Sequence, residues 1–122
     1  MTKEIISKQI EQFSTLVNNA VDEGTLVGTS SPPPVAANRL NAFKEMITNF
    51  QSLFNAGRIE DCYVQLISIS NKCNAVIPPV DFVKGDARAG IAIQVGNLIS
   101  IIAVEIERDH AYGCLKAQGN II

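Results

Sequence analysis

Apolar residues recur along this chain at spacings of three and four, the repeat of helices that turn one face inward. Over residues 3–22 the repeat runs through Ile6, Ile10, Phe13, Val17 and Val21. Glu4 and Lys8 add an i,i+4 pair in the favourable order. Gly24 follows as the stop. Over residues 35–55 it runs through Ala36, Leu40, Phe43, Ile47, Phe50 and Phe54, widened by Met46 and Leu53 and ended by Gly57. A third helix follows almost at once, with Glu60 and Asp61 in its first turn, where the helix dipole favours negative charge. Its expected inner side is Ile59, Cys62, Tyr63, Leu66, Ile67 and Ser70. The connection through Ala56, Gly57 and Arg58 is short, so the second and third helices should pack as an antiparallel αα-hairpin.

Residues 86–109 are apolar almost all the way round: Ile91, Ile93, Val95, Leu98, Ile99, Ile101, Ile102, Val104 and Ile106. A helix of this kind belongs at the centre of a core or an interface. A competing pattern exists. Gly96-Asn97 is a two-residue turn signal flanked by β-branched residues, as in a hairpin. The rest of the chain offers such a hairpin no evident strand to pair with, and an isolated hairpin is marginal. Asp86, Gly90, Gln94, Asn97, Ser100, Glu107 and Arg108 also fall on one side of a helical wheel, so we expect a helix capped by Asp86. Gly90, Ala92, Gly96 and Ala103 are then expected sites of close helix–helix approach. A membrane span is not expected, because Gln94, Asn97, Ser100 and Glu105 interrupt the stretch.

Between these stretches lie a linker over residues 24–34, with Pro32, Pro33 and Pro34, and a loop over residues 74–85, broken by Pro78-Pro79. The prolines stiffen the linker and suit a first helical turn. Val80, Phe82 and Val83 should tuck onto the core. The tail should fray after Gly113, leaving Ile121 and Ile122 in need of cover. The expected fold is all-α: a single domain over residues 1–122, a four-helix bundle with a central αα-hairpin and a long apolar C-terminal helix.

The 122 residues are 47% hydrophobic but only 18% charged, so the surface is short of solvating charge, as in a chain that expects a partner. Net charge is -2, with no basic excess to hold a phosphate backbone. Arg39, Lys44, Arg58, Lys72, Lys84 and Arg88 are dispersed in sequence, without interleaved aromatics. Nucleic acid is therefore not an expected partner. Three cysteines at wide spacing, Cys62, Cys73 and Cys114, form no disulfide framework. The amphipathic, charged N-terminal stretch does not read as a signal peptide, so a reducing cytoplasmic setting is expected.

Candidate chemistry is sparse. Gly85 and Gly90 have the glycine spacing of a phosphate-binding loop, but Ile91-Ala92 stand where Lys-Ser/Thr should follow. His110 and Cys114 lie at i,i+4 with Glu107 one turn earlier, the geometry of a thiol–imidazole pair or half a metal site. Zinc would also need Cys62 and Cys73, which belong to no Cys-x-x-Cys clip. Glu105 beside an apolar stretch is a candidate general base, with no second group placed to complete a constellation. Locally, Asp86-Ala87, Ile91 and Asn97-Leu98-Ile99 resemble the last long helix of rod-shaped plant-virus coat proteins, a four-helix fold that coats RNA. The likeness covers a small part of one helix. The chain is shorter than those coat proteins and has no arginine cluster before the helix.

The function expected from these features is non-catalytic: a helical scaffold or assembly subunit of a larger cytosolic complex, with no cofactor and no metal. The expected partner surface lies among Ile91, Val95, Leu98, Ile102 and Ile106, shared between core and interface. The alternatives are a self-assembling coat or filament subunit and a small enzyme using His110, Cys114 and Glu105.

Overall fold

Both glycine stops close their helices by the same device. In the computed structural model, which describes residues 3–29, 33–74 and 81–117 with side chains through residue 108, α1 spans Lys3–Glu23. Gly24 follows at φ 76°. Its amide bonds to the Val21 carbonyl at 3.2 Å, and the Thr25 amide to the Ala20 carbonyl at 2.9 Å. This is a Schellman cap, which needs a left-handed residue at its centre. α2 spans Pro33–Asn55 and ends likewise. Gly57, at φ 77°, bonds to the Phe54 carbonyl, and Arg58 to that of Leu53. α3, Ile59–Asn71, starts two residues after Gly57, so the expected αα-hairpin forms.

The two connecting segments differ from expectation. The linker after α1 contributes β1, Val27–Gly28, and the loop after α3 contributes β2, Val83–Lys84. They pair antiparallel, Val27 opposite Lys84 and Gly28 opposite Val83. Each supplies the other's partner, so neither segment shows its strand character when read alone. Leu26 and Val83 are fully buried, and Phe82 is half-buried as expected. Val80 and Pro78-Pro79 lie outside the described residues. The ribbon gathers the ends of α1 and α3 and the starts of α2 and α4 at one end of the bundle. It lies so flat on α2 that a Cβ on Gly28 would overlap the Ala36 carbonyl.

α4, Arg88–Ala117, is one helix about 45 Å long at 1.5 Å per residue. Gly96 and Asn97 sit inside it, so the helix expectation holds over the hairpin. It begins two residues beyond Asp86, and the Ala87 and Arg88 amides bond instead to the Thr25 and Gly85 carbonyls. It also continues past Gly113, where fraying was expected.

The core draws four-three stripes from every helix: Ile6, Ile10, Phe13 and Val17; Phe43, Ile47, Phe50 and Phe54; Cys62, Leu66 and Ile69; Ile91, Val95, Leu98 and Ile102. Two assignments need correcting. On α1, Ala20 rather than Val21 continues the buried stripe. On α3, Ile69 is fully buried while Ile67 is 37% exposed, because the row Cys62, Leu66, Ile69, Cys73 follows the face that meets α2 and α4. α4 packs chiefly on α3 and more lightly on α1.

Candidate docking face on the last helix

Two stripes run along α4 with identical spacing of four, three and four. The inner one is Ile91, Val95, Leu98 and Ile102, each at most 3% exposed. The outer one is Ile93, Asn97, Ser100 and Val104, all exposed, with Ile93 at 64% and Val104 at 52%. The two are offset by two residues, about 200° around a helix. The structure thus divides the residues expected to form the partner surface. Ile91, Val95, Leu98 and Ile102 turn into the molecule's own core, because α1, α2 and α3 all offer apolar stripes to that side. Ile106 is half-buried against the core. Among the described residues of α4, the large apolar groups left exposed are Ile93 and Val104, missed because the Gln94–Asn97–Ser100 side of the wheel reads as polar; on other elements Ile5, Leu16, Val27, Val35, Val64 and Ile67 are exposed too. The repeated 4-3-4 spacing was the available signal, but it does not say which stripe faces in.

Beside the outer stripe, α1 and α4 enclose a groove of about 620 Å³. Gln9, Gln12, Phe13 and Leu16 line one wall, and Gln94, Asn97, Leu98, Ser100 and Ile101 the other. No charged side chain lines it. The Gln9 Oε1 atom is buried with no hydrogen-bond partner. A shallower depression of about 270 Å³ continues from it over Ser100, Ile101, Val104 and Glu105. Glu105 is paired with Arg108 across 3.2 Å, one turn along the helix. Leu16, 41% exposed, stands at the groove's edge. Amides and aliphatic groups without net charge can seat another protein's side chains and can both donate and accept hydrogen bonds.

The expected close approaches at Gly90 and Gly96 do not occur within the chain. Both face outward, with nothing within 4 Å of where a Cβ would stand. Gly85, at φ 118°, serves the ribbon, since a Cβ there would overlap the Thr25 carbonyl. With the Ala87 and Arg88 amides also spent on carbonyls, the phosphate-loop spacing has a backbone explanation.

Several cations fasten the loops. Arg39 Nη1 donates to Thr29 Oγ1 at 3.0 Å, and Arg88 Nη1 to the Cys73 carbonyl at 2.8 Å. The Lys72 ammonium stands 4.4 Å over the Phe82 ring, and Arg58 pairs with Asp61 at 2.6 Å.

Cys62 and Cys73 are free and buried. Burial, with Asp61 adding, pushes the Cys62 thiol up to about 11. Burial and then Asp81, opposed by Arg88, push that of Cys73 to about 12. Thiols so held stay protonated at neutral pH and are poor metal ligands or nucleophiles. Among the described residues, no three His, Cys, Asp or Glu side chains gather as a metal site. The side chains of His110 and Cys114, and residues Ile121 and Ile122, lie outside the described residues. The stretch Arg88–Arg108 is long and apolar enough to cross a membrane by length and composition, with 22% of its most apolar window buried. That buried share is the inner stripe, which the other helices cover.

Comparison with known proteins finds no matching family model, curated sequence or solved structure. The likeness of residues 86–99 to rod-shaped coat proteins stands on those residues alone.

Proposed function

We propose that the chain is a non-catalytic helical assembly subunit that engages a protein partner through the outer face of α4 and the adjoining α1–α4 groove. The observation that carries this reading is the exposure of Ile93 and Val104 on a helix whose opposite stripe is already satisfied. Apolar groups exposed beside an uncharged groove are a common mark of a binding surface. The amide-rich lining suits a protein better than a phosphate backbone, which would call for cations there. The free, buried thiols of Cys62 and Cys73 fit a reducing compartment such as the cytosol.

The test is affinity purification from the native host, comparing tagged wild type with Val104→Glu. Wild type should retain a protein, its own copy or another chain, in near-stoichiometric amount, and the variant should lose it. Equal recovery by both, or no protein on either, would contradict the reading.

A further inference from the structure

α1 is fastened differently from the other helices. α3 is tied to its neighbours by polar bonds that cross between elements. Gln65 Nε2 donates to the Met46 carbonyl of α2 at 3.0 Å, and the Cys73 carbonyl just past α3 accepts from Arg88 of α4 at 2.8 Å. Polar groups beside α1 turn back instead. Ser100, on the α4 wall of the groove, donates to the Gly96 carbonyl of its own helix at 3.2 Å. Thr48 of α2 donates to the Lys44 carbonyl one turn back, also at 3.2 Å. The Gln9 Oε1 atom of α1 is buried with no partner, and a buried acceptor left unpaired counts against the closed arrangement.

Both flanks of α1 are also open. The groove of about 620 Å³ lies between it and α4. On the other side a cleft of about 60 Å³ separates Ser14, Val17 and Asn18 from Lys44, Ile47 and Thr48 of α2. α1 touches α4 and α2 more lightly than α3 does. What holds it down is one buried apolar stripe, Ile6, Ile10, Phe13, Val17 and Ala20. The chain just after it is anchored: Leu26 is fully buried, the Thr25 carbonyl accepts the Ala87 amide at 3.0 Å, and β1 pairs with β2. Between helix and anchor stands Gly24 at φ 76°, with nothing within 4 Å of where a Cβ would be.

We propose that α1 is a flap that lifts as a unit about Gly24 while α2, α3, α4 and the ribbon stay folded. Proteins open in such units where packing is lightest, and a hinge needs only a few residues at the end of an element to absorb the change. The flap controls the groove. α1 supplies Gln9, Gln12, Phe13 and Leu16 as one of its two walls, so the groove exists only with the flap down. Lifting removes it and uncovers Phe13 and Leu98, each 3% exposed in the closed form. The same region thus switches between an uncharged, amide-lined groove and an open apolar face. The flap is a property of the chain alone and does not depend on whether a partner uses the groove.

The test is hydrogen exchange of the full chain, read by mass spectrometry across a series of low urea concentrations. After correction for intrinsic rates, amides of residues 10–20 in α1 should exchange about tenfold faster or more than those of residues 62–71 in α3. They should share one urea dependence, weaker than that of α3, because lifting one helix exposes less surface than unfolding the chain. Ile69→Val, on the α3 row that meets α2 and α4, should speed exchange in α3 by about three- to tenfold and leave α1 unchanged, since that packing survives the opening. Gln9→Met removes the unpaired oxygen at similar length and should slow exchange in α1 about tenfold. Equal rates and equal urea dependence in α1 and α3 would overturn the flap, because the chain would then open only as a whole. Exchange in α1 graded from residue to residue, with no urea dependence, would mean fraying and overturn it equally. So would Ile69→Val speeding both helices alike, or Gln9→Met leaving α1 as fast as in wild type.

Discussion

Gly28 and Gly96 are both glycines in regular structure, and the surroundings give their side-chain hydrogens opposite meanings. Gly28 rests on the first turns of α2, where a methyl group would overlap the Ala36 carbonyl. Gly28→Ala should cost roughly 1–3 kcal/mol of unfolding free energy in urea, the usual scale of overpacking. Gly96 faces outward inside α4 with open space around it, so Gly96→Ala should gain up to about 1 kcal/mol from helix propensity. A neutral Gly28→Ala would mean the ribbon does not sit on α2. The buried thiols make a pH statement. Both pKa values are raised from 9.0, so the unfolded chain loses these protons first as pH rises. Their stabilising contribution is complete below about pH 9 and is lost as pH climbs towards the folded values of about 11 and about 12. Stability should decline more gently above pH 9 in Cys73→Ala than in wild type. Equal slopes in alkaline urea titrations would contradict the burial of that thiol.

At the scale of elements, α4 holds the most direct contrast. Leu98→Asp puts a carboxylate on the inner stripe, at 3% exposure, and should cost several kcal/mol, on the order of a small domain's whole stability. Ile93→Lys, on the outer stripe of the same helix, should leave the chain folded. Thermal melts followed by circular dichroism separate the two, and an unchanged melt for Leu98→Asp would show that the stripes are assigned the wrong way round. The helices themselves were legible because Phe43, Ile47, Phe50 and Phe54, for example, repeat without a break and Gly57 punctuates them. The short strands were not. Val27-Gly28 and Val83-Lys84 become strands only because the fold brings two distant loops together, a pairing no local window contains. The candidate docking face was half legible. The apolar excess on α4 signalled more surface than one core could take, but two stripes of equal spacing left open which of them the bundle covers. That is decided by α3, which packs most closely on α4, and by the apolar faces of α1 and α2.

For the whole molecule, the ribbon fixes one end of the bundle, tied by Arg39 to Thr29 and by Arg88 to the Cys73 carbonyl. Nothing equivalent covers the outer length of α4 within the described residues. In the proposed reading the bundle is a mount that presents one long helix edge, with the groove beside it as a seat for side chains of a partner. A charged fraction of 18% fits a chain that places part of its surface against protein rather than water. Sedimentation equilibrium of the wild-type chain over a wide concentration range tests this most directly. The expected result is a mass above the 13.2 kDa of one chain at the higher concentrations, or a protein retained from the native host that Val104→Glu loses. A mass of 13.2 kDa at every concentration, with no protein retained from the native host, would contradict it.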